Sequence, residues 1–476
     1  MTTLRLVRED VRNFSVEARR VLFHVPTSSL FELDGLGAEI LDLFENRDEV
    51  SEGDIRARFD GRHEPATVVE TLQELLNLRI IGEGHGRLPV QPVRINEFPL
   101  STVVLNVNTG CNLSCTYCYK EDLASPAQGE RMSLDTAIRA VELLLAEAAD
   151  RRSVNVVFFG GEPLTHMPLI RDVVDYAEVR GREQGKRIDF SLTTNAVMLT
   201  PELIDYFDAH RFGLTVSIDG PRELHDRNRR TVGGKGTYDV VAEKARMLLA
   251  RYRSRPVGAR VTLTAGVTDI VGIHRHVVEE LGFFEVGFAP VTAGAMSAFN
   301  LSGDELESVF VGMKALGRRY LEAALRDENI GFGNMHQLIT DLSEGTSKTL
   351  PCGAGLGMVA VDKAGGVNLC HRFTGTDVPT FGNVETGWDK GSLANFLEGA
   401  ANRSGTVCDT CWIRRLCAGG CYHEAYSKYS DPMHPNDHYC NLMRDWVEFG
   451  IGIYSEIMRG NPAFITRHVA PRRGNR

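Results

Sequence analysis

The sequence predicts an α/β protein in which a mainly parallel sheet lies between a small N-terminal module and a cysteine-rich C-terminal domain. Three observations support this prediction. From residue 102 onward, short apolar segments alternate with helical patterns, which is typical of a parallel sheet. Before residue 82, a strand pattern and three amphipathic segments stand apart. The ten cysteines are clustered, three at 111–118 and seven after residue 351.

Composition limits the possible partners. The chain of 476 residues suggests roughly two to four domains. Its formal net charge of −10 disfavours nucleic acid and anionic membranes as main partners. No segment approaches the roughly 18 apolar residues of a membrane span, and the first ten residues are charged where a signal peptide is apolar. We therefore expect a cytoplasmic protein whose cysteines serve metal sites or catalysis.

Residues 1–90 are predicted to form a winged-helix-like module. Residues 20–25 have the pattern of a strand, and 36–44, 52–59 and 65–78 have apolar positions at helical spacing. A DNA-binding domain or a plain packing module fits the same pattern, but the acidic residues in these helices disfavour contact with phosphates. The Gly- and Pro-rich stretch 82–92 marks the boundary of the module.

Residues 98–300 are predicted to hold the parallel sheet. Active residues of α/β barrels lie at the carboxyl ends of the strands, so the segments that follow each strand are the candidate site. A bridging helical segment is expected over 301–348, with one long amphipathic helix at 302–329. The six strands are predicted at 103–107, 154–159, 188–192, 213–218, 259–263 and 284–288.

The loop after the first strand carries Cys111, Cys115 and Cys118, which are three soft anionic ligands without a fourth. A closed structural zinc site uses four ligands, whereas an active iron–sulfur cluster keeps one iron free. A zinc knuckle or three buried thiols are the simpler alternatives. This spacing, with Tyr117 before the last cysteine, resembles the loop of radical S-adenosylmethionine (SAM) enzymes. The resemblance implies a partial (β/α)6 barrel, a [4Fe–4S] cluster on these cysteines, SAM on its fourth iron and an external electron donor.

The later strand ends match further motifs of this family. The resemblance implies that Gly160, Gly161, Glu162 and Pro163 receive the methionyl amino group, through a carboxylate or a carbonyl. It also implies that SAM's ribose and carboxylate contact side chains after the third and fourth strands. An arginine of the run 227–230 is a further candidate for the carboxylate, and the spacing does not choose among them. The cofactor-binding residues predicted in this way are Tyr117, Gly160, Gly161, Glu162, Pro163, Asn195, Ser217 and Asp219.

The seven C-terminal cysteines lie in 349–445, and a helix and basic tail follow over 446–476. Cys-x-x-Cys spacing also suits zinc ribbons. Behind a radical SAM core, however, the whole register is similar to the SPASM domain, which implies two auxiliary iron–sulfur clusters of the [4Fe–4S] type. The implied ligands are Cys352, Cys370 and Cys421 for the first auxiliary cluster, and Cys408, Cys411, Cys417 and Cys440 for the second. The first has no fourth cysteine, which leaves a non-cysteine ligand or an open iron for a substrate thiolate.

The resemblance also implies a function. In peptide-modifying SPASM enzymes the N-terminal module binds a leader peptide by adding it to a sheet edge. Sulfatase maturases, which make formylglycine, lack this module and carry an aspartate where this chain has His371, which is our candidate for the catalytic base. The chain is most similar to the family that matures quinohemoprotein amine dehydrogenase, in which Cys sulfur is joined to an Asp or Glu methylene of the small subunit. Another peptide crosslinker, a formylglycine-forming maturase and a non-catalytic zinc regulator remain the alternatives.

Overall fold

The computed structural model describes residues 2–17, 19–83, 92–119, 126–148, 150–292, 294 and 297–469. Most of the predicted linker at 82–92 and the end of the basic tail, residues 470–476, lie outside these ranges. In the described part of the chain no helix is long and apolar enough to cross a membrane.

The N-terminal region contains three helices and two small sheets. The helices are α1 (Gly35–Asp42), α2 (Glu52–Phe59) and α3 (Pro65–Asn77), close to the predicted bounds, and Ser51 caps α2 by accepting a hydrogen bond from the Asp54 amide. The sheets have the orders β5-β1-β6 and β2-β3-β4. The strands are β1 (Thr3–Leu6), β2 (Val11–Val16), β3 (Arg19–His24), β4 (Ser29–Glu32), β5 (Val50–Ser51) and β6 (Ile81–Gly82).

The hairpin β2–β3 joins this region to the rest of the molecule. Leu22 belongs to the separate apolar core of the N-terminal region, whereas Phe14 and Phe23 belong to the main core. Their rings lie 5.3 and 5.7 Å from that of Trp412 in the cysteine-rich domain. The sequence predicts a module with its own core, and the structure adds that one face of its hairpin packs into the main body.

The predicted partial barrel is confirmed. Six strands, β7 to β12, are parallel and follow one another in order, because helices connect each strand to the next on the outer face. The strands are β7 (Thr102–Asn108), β8 (Ser153–Gly160), β9 (Arg187–Thr194), β10 (Gly213–Ser217), β11 (Gly258–Leu263) and β12 (Glu285–Pro290). The helices are α4 (Leu134–Glu147), α5 (Met167–Glu183), α6 (Pro201–Ala209), α7 (Arg222–Asn228), α8 (Tyr238–Arg251) and α9 (Ile270–His274), which continues into a π-helical turn, Arg275–Glu280.

Side chains alternate across these strands. In β11, Ala259, Val261 and Leu263 are buried under the helices, whereas Arg260 and Thr262 are on the other face, toward the barrel lumen. The same alternation places Phe159 of β8 and Ser217 of β10 on the lumen side. These four lumen-facing residues therefore bring two small polar side chains, one aromatic ring and one arginine to the lumen.

The C-terminal part extends the barrel sheet and packs helices against it. Strand β13 (Met358–Val361) pairs in parallel with β7, and β14 (Val367–Asn368) pairs antiparallel with β13. Sequence analysis missed this extension. A two-stranded sheet comprises β15 (Gly382–Asn383) and β16 (Gly387–Trp388). The helices are α10 (Gly303–Leu325), α11 (Gly333–Ser343), α12 (Lys390–Ala401), α13 (Arg414–Cys417), α14 (Tyr422–Tyr429), α15 (Cys440–Gly460) and α16 (Pro462–His468).

The long helix α10 packs against α15 and α9, as expected of a bridging element. Its N-terminus has a capping box, because Ser302 and Glu305 exchange side-chain to backbone hydrogen bonds. It ends at Leu325 rather than at the predicted residue 329, since Asp327 adopts a left-handed φ of 65°. Leu325, expected in the apolar stripe, is 43% exposed.

Candidate active site

The cysteine loop starts at the carboxyl end of β7 and is held by the segment after α7. The Ser114 amide donates to the Arg230 carbonyl over 2.8 Å, and the Thr116 amide donates to the Asn228 carbonyl over 3.1 Å. The Thr116 hydroxyl also lies 2.8 Å from the Asn228 side chain. The loop is therefore fixed by backbone contacts from the far side of the barrel, which a sequence motif does not reveal.

Cys111, Cys115 and Cys118 are free thiols with partly exposed side chains. Burial raises the pKa of Cys111 to about 12, and Glu162, Cys115 and Cys118 raise it further while the Leu113 amide opposes them. Burial likewise raises the pKa of Cys115 to about 11. The three sulfurs are thus close enough to affect one another electrostatically. A positive group must compensate them before they become thiolates together.

The Gly-Gly-Glu-Pro segment after β8 packs directly on the cysteine loop. A Cβ on Gly161 would lie 2.0 Å from the Gly110 carbonyl oxygen, and one on Gly160 would lie 2.4 Å from the Asn108 carbonyl oxygen. Gly160 also has φ of +144°, which side chains rarely adopt. Both glycines are therefore required for the close approach of two loops, and the amides of Gly161 and Glu162 donate back to Asn108 and Gly110.

The Glu162 carboxylate is turned inward. It is 1% exposed and accepts hydrogen bonds from the Thr194 hydroxyl (2.7 Å), the Asn195 amide (2.8 Å) and the Leu164 amide (3.1 Å). Burial raises its pKa to about 7, although these three donors lower it. Because its oxygens are already bonded within the protein, Glu162 fixes the loop. Of the two predicted acceptors for an ammonium group, the backbone carbonyls of this segment are the better placed.

Asn195 connects the end of β9 to the cysteine loop. Its side-chain amide donates to the side-chain oxygen Oδ1 of Asn112 over 2.8 Å and lies 3.8 Å from the Cys111 sulfur. Its own carbonyl oxygen accepts from the Val197 amide. The predicted residue therefore lies at the site, where it orients the first cysteine.

Tyr117, Asp219 and Arg229 form a buried group under the loop. The Tyr117 hydroxyl donates to Asp219 Oδ2 over 2.7 Å, and Arg229 Nε lies 2.9 Å from the same oxygen as an ion pair. Arg229 also lies over the Tyr117 ring at 5.5 Å. Burial lowers the pKa of Arg229, but Asp219, Tyr117 and Cys115 together outweigh this, so the net pKa is raised.

The structure thereby separates the arginines of the run 227–230. Arg227 and Arg230 are exposed and donate to backbone carbonyls, of Ala265 and Asp226 respectively. Arg229 is 7% exposed and reaches the buried group that supports the loop. Sequence spacing alone does not distinguish the three, because the turn after α7 determines which one points inward.

The first group of C-terminal cysteines lies over the barrel mouth. Burial raises the pKa of Cys370 to about 12, and Cys421 and Cys352 raise it further, so these three sulfurs are neighbours. The adjacent His371 ring packs on lumen-facing Phe159 at 4.4 Å. Tyr119 lies close to both cysteine groups. Burial raises the pKa of Tyr119, and the charges of Cys118 and Cys370 raise it further.

The second group lines a single pocket together with Arg414 and Asn436. Burial raises the pKa of Cys440 to about 11, and the charges of the other three cysteines add to the shift. In the described ranges no three Cys, His, Asp or Glu side chains are arranged to hold one metal ion. The cysteines of this second group are Cys408, Cys411, Cys417 and Cys440.

Sequence analysis missed two candidate functional residues, Arg372 and Arg260. Arg372 follows His371 and stacks over Tyr119 at 4.9 Å, and its Nη2 donates to the Thr292 hydroxyl over 2.8 Å. Arg260 stands on the lumen face of β11. A signal existed for Arg260, because strict alternation in 258–263 leaves it as the single charged residue opposite an apolar face. Nothing in the sequence brings Arg372 to the barrel mouth.

Comparison with known proteins agrees with this geometry. The family model described as "Radical SAM superfamily" matches residues 105–271. The radical SAM cyclopropyl synthase TigE of Paramaledivibacter caminithermalis is 23% identical over 76% of this chain and 75% of its own. A cysteine-type anaerobic sulfatase-maturating enzyme of Clostridium perfringens is 22% identical over 74% of this chain and 96% of its own.

Solved structures share the fold. The structure of anSMEcpe with AdoMet and the Cp18Cys peptide has a TM-score of 0.64 at 21% identity and covers 77% of this chain and 99% of its own. SuiB of Streptococcus suis, bound to precursor peptide SuiA, has a TM-score of 0.50 at 14% identity and covers 92% of this chain and 99% of its own.

A partial parallel barrel with a three-cysteine loop at the carboxyl end of its first strand defines the radical SAM class. This chain is a radical SAM enzyme, whose cofactors are SAM and a [4Fe–4S] cluster. The alternative of a non-catalytic zinc regulator is wrong. The names of the two relatives given above refer to sulfatase maturation and cyclopropyl synthesis. Neither refers to an amine dehydrogenase, so the finer assignment is a matter for proposal.

Proposed function

We propose that this enzyme modifies a ribosomally made peptide by joining a Cys sulfur to the methylene of an Asp or Glu side chain. The supporting observation is the three-cysteine group at the barrel mouth. Cys352, Cys370 and Cys421 provide three thiols, and the remaining seven cysteines of the chain fall into the other two groups. One ligand position is therefore left for a substrate thiolate beside the lumen in which the carbon is activated.

The radical SAM cofactors fit the residues present at the barrel mouth. Cys111, Cys115 and Cys118 hold the [4Fe–4S] cluster, since none is committed to a disulfide and all lie on one anchored loop. When bound, the cluster and SAM supply hydrogen abstraction from carbon. Of the predicted SAM residues, Ser217 lies on the lumen side, where it would contact the cofactor. The polar groups of five residues bond to one another or to the Asn112 side chain of the cysteine loop, and so position the loops: Glu162, Asn195, Asp219, Tyr117 and Arg229.

Auxiliary iron–sulfur clusters fit the two C-terminal cysteine groups. Within each set the sulfurs lie close enough to shift one another's pKa. Arg444 Nη1 lies 3.7 Å from Cys411 Sγ, and Arg372 Nη1 lies 4.0 Å from Cys421 Sγ. Each group thus has a cation beside it, which favours thiolate ligands of an anionic cluster.

His371 is placed to act as the base in this proposal. The His371 ring lies against Phe159 at the lumen, and His371 follows Cys370 directly in the chain. A neutral imidazole accepts a proton near neutral pH. His371 therefore takes the proton of the substrate thiol as the sulfur approaches the cysteine group at the mouth.

The N-terminal region binds the peptide at the edge of β4. Strands β2 and β4 are the two edges of their sheet, and β2 is covered by α15. Leu30 and Phe31 of β4 are only partly buried, which suits an edge that gains a strand on binding. The structural match with SuiB supports this proposal, because it covers 92% of this chain, whereas the match with anSMEcpe covers 77%.

The substrate we propose is the small subunit of quinohemoprotein amine dehydrogenase. The test is an anaerobic reaction of reconstituted enzyme, SAM, dithionite and this subunit, in which deoxyadenosine and substrate mass are followed. Loss of two hydrogens per crosslink, with the Cys thiols no longer alkylatable, is the expected result. Deoxyadenosine without any change in mass would reject this substrate while leaving the radical SAM chemistry intact.

Formylglycine formation is the second candidate, and the sulfatase-maturating relatives favour it. Its product reacts with aldehyde reagents and contains no new link to an acidic residue. His371 and the N-terminal region count against it. Appearance of an aldehyde in place of a crosslink would decide for this alternative.

A further inference from the structure

Arg260 and Arg372 bring two positive charges together at the inner wall of the barrel. Arg260 belongs to β11 and is on its lumen side, next to Ser217 in the paired strand. Arg372 reaches the carboxyl end of β12, where it donates to Thr292. Burial lowers the pKa of Arg260, and Arg372 lowers it further, so each guanidinium lies in the field of the other.

Neither arginine forms an ion pair with a carboxylate within the described residues. The near neighbour Tyr119 does not neutralise them, because burial raises its pKa and keeps the phenol uncharged. The charge of Arg372 acts on the Glu424 carboxyl, but this carboxyl accepts a hydrogen bond from the Tyr439 hydroxyl instead. Burial raises the pKa of Glu424. Two like charges in a partly dehydrated space are unfavourable unless an anion joins them.

The space around Arg260 is built into the fold. The Arg260 side chain remains exposed to solvent inside the lumen, although protein surrounds it. Gly287 of β12 is opposite Arg260 in register, and a Cβ there would lie 3.1 Å from Arg260 Nη1. The guanidinium therefore lies across a position without a side chain. A guanidinium carries five N–H donors, and its planar fork matches the two oxygens of a carboxylate.

We propose that Arg260 and Arg372 bind the side-chain carboxylate of the substrate's acidic residue, the residue whose methylene is modified. This rests on the proposed function and explains how Asp or Glu is selected. A neutral side chain binds less well there because the Arg260 charge would then be left without an anionic partner. SAM also has a carboxylate, and this second source is separated by experiment.

The test uses reconstituted enzyme with the amine dehydrogenase small subunit, and with a version in which the acidic crosslink residues are amides. Arg260→Gln is expected to lower kcat/KM for crosslinking of the acidic substrate on the order of 10²-fold. The preference for acid over amide should fall toward one. Arg260→Lys should recover part of the loss, because the charge returns without the bidentate fork. Arg246→Gln, on the exposed face of α8, removes the same charge outside the barrel and is the matched control.

The affinity for SAM, measured by equilibrium dialysis, separates the two carboxylates. An Arg260→Gln variant whose SAM affinity falls together with its crosslinking would assign the site to SAM and overturn the proposal. Crosslinking within threefold of wild type would also overturn it. Folding does not confound the result, because Arg260 has no carboxylate partner among the described residues and lies in the field of Arg372, so its removal is expected to keep or raise the melting temperature. If wild-type enzyme leaves the acidic subunit unmodified, the proposed function fails instead.

Discussion

The ion pair of Arg229 with Asp219 is expected to be the main electrostatic support of the cysteine loop. Asp219 is 2% exposed and Arg229 is 7% exposed, so Arg229→Gln leaves a buried carboxylate without its cation. Breaking such a pair costs about 3–5 kcal/mol. The Tyr117 hydroxyl and the Thr262 amide still donate to Asp219, so we expect a loss of about 2–4 kcal/mol in the free energy of unfolding.

Urea unfolding of Arg229→Gln, Arg227→Gln and Arg230→Gln measures this loss. The two control arginines are exposed and donate to backbone carbonyls, so their replacement should change stability by less than about 0.5 kcal/mol. Adding Asp219→Asn to Arg229→Gln should restore part of the loss, because the buried charge disappears. Equal effects of all three arginines, or no recovery in the double variant, would refute the reasoning. Iron content should fall with Arg229 alone, since its neighbours Asn228 and Arg230 hold the loop.

Three further predictions concern other parts of the molecule. The pKa of Glu162 is about 7 in the folded protein against an ordinary value of 4.5, so the folded state binds the proton more tightly and stability should fall as pH rises between these values. Glu162→Gln should remove that slope in urea unfolding, and an unchanged slope would contradict it. Trp412→Ala removes the ring that contacts Phe14 and Phe23. We expect a loss of about 2–4 kcal/mol in the free energy of unfolding, together with faster proteolysis of the N-terminal region. The Trp388 ring packs instead on Phe98, so Trp388→Ala should leave the proteolysis rate of the N-terminal region unchanged. Cys115→Ala should abolish deoxyadenosine formation while peptide affinity stays within about twofold of wild type, and loss of peptide binding would mean that the loop is structural.

Much of the barrel and its motifs was predictable, because their signals are local. Each strand is a short apolar run, and each motif follows one directly. The direction in which a side chain points was harder to predict. Glu162 and Asp219 are both buried and bonded to protein donors, which their place after a strand does not reveal, and their expected contact with SAM stays a prediction. Tertiary contacts between separate loops decide this orientation, and periodicity within one segment does not contain them.

The unpredicted pairing of β13 with β7 explains how distant cysteines come to share one site. Strand β7 leads directly into the cysteine loop, and β13 runs parallel beside it in the same sheet. Cys352 precedes β13, and Cys370 comes two residues after β14. One continuous sheet therefore sets the position of the three-cysteine group relative to the loop, without a flexible linker between them. Because a sheet resists bending along its hydrogen-bonded direction, Phe159 and His371 stay in contact at the lumen, and the proposed carbon and sulfur partners are brought together by the same framework.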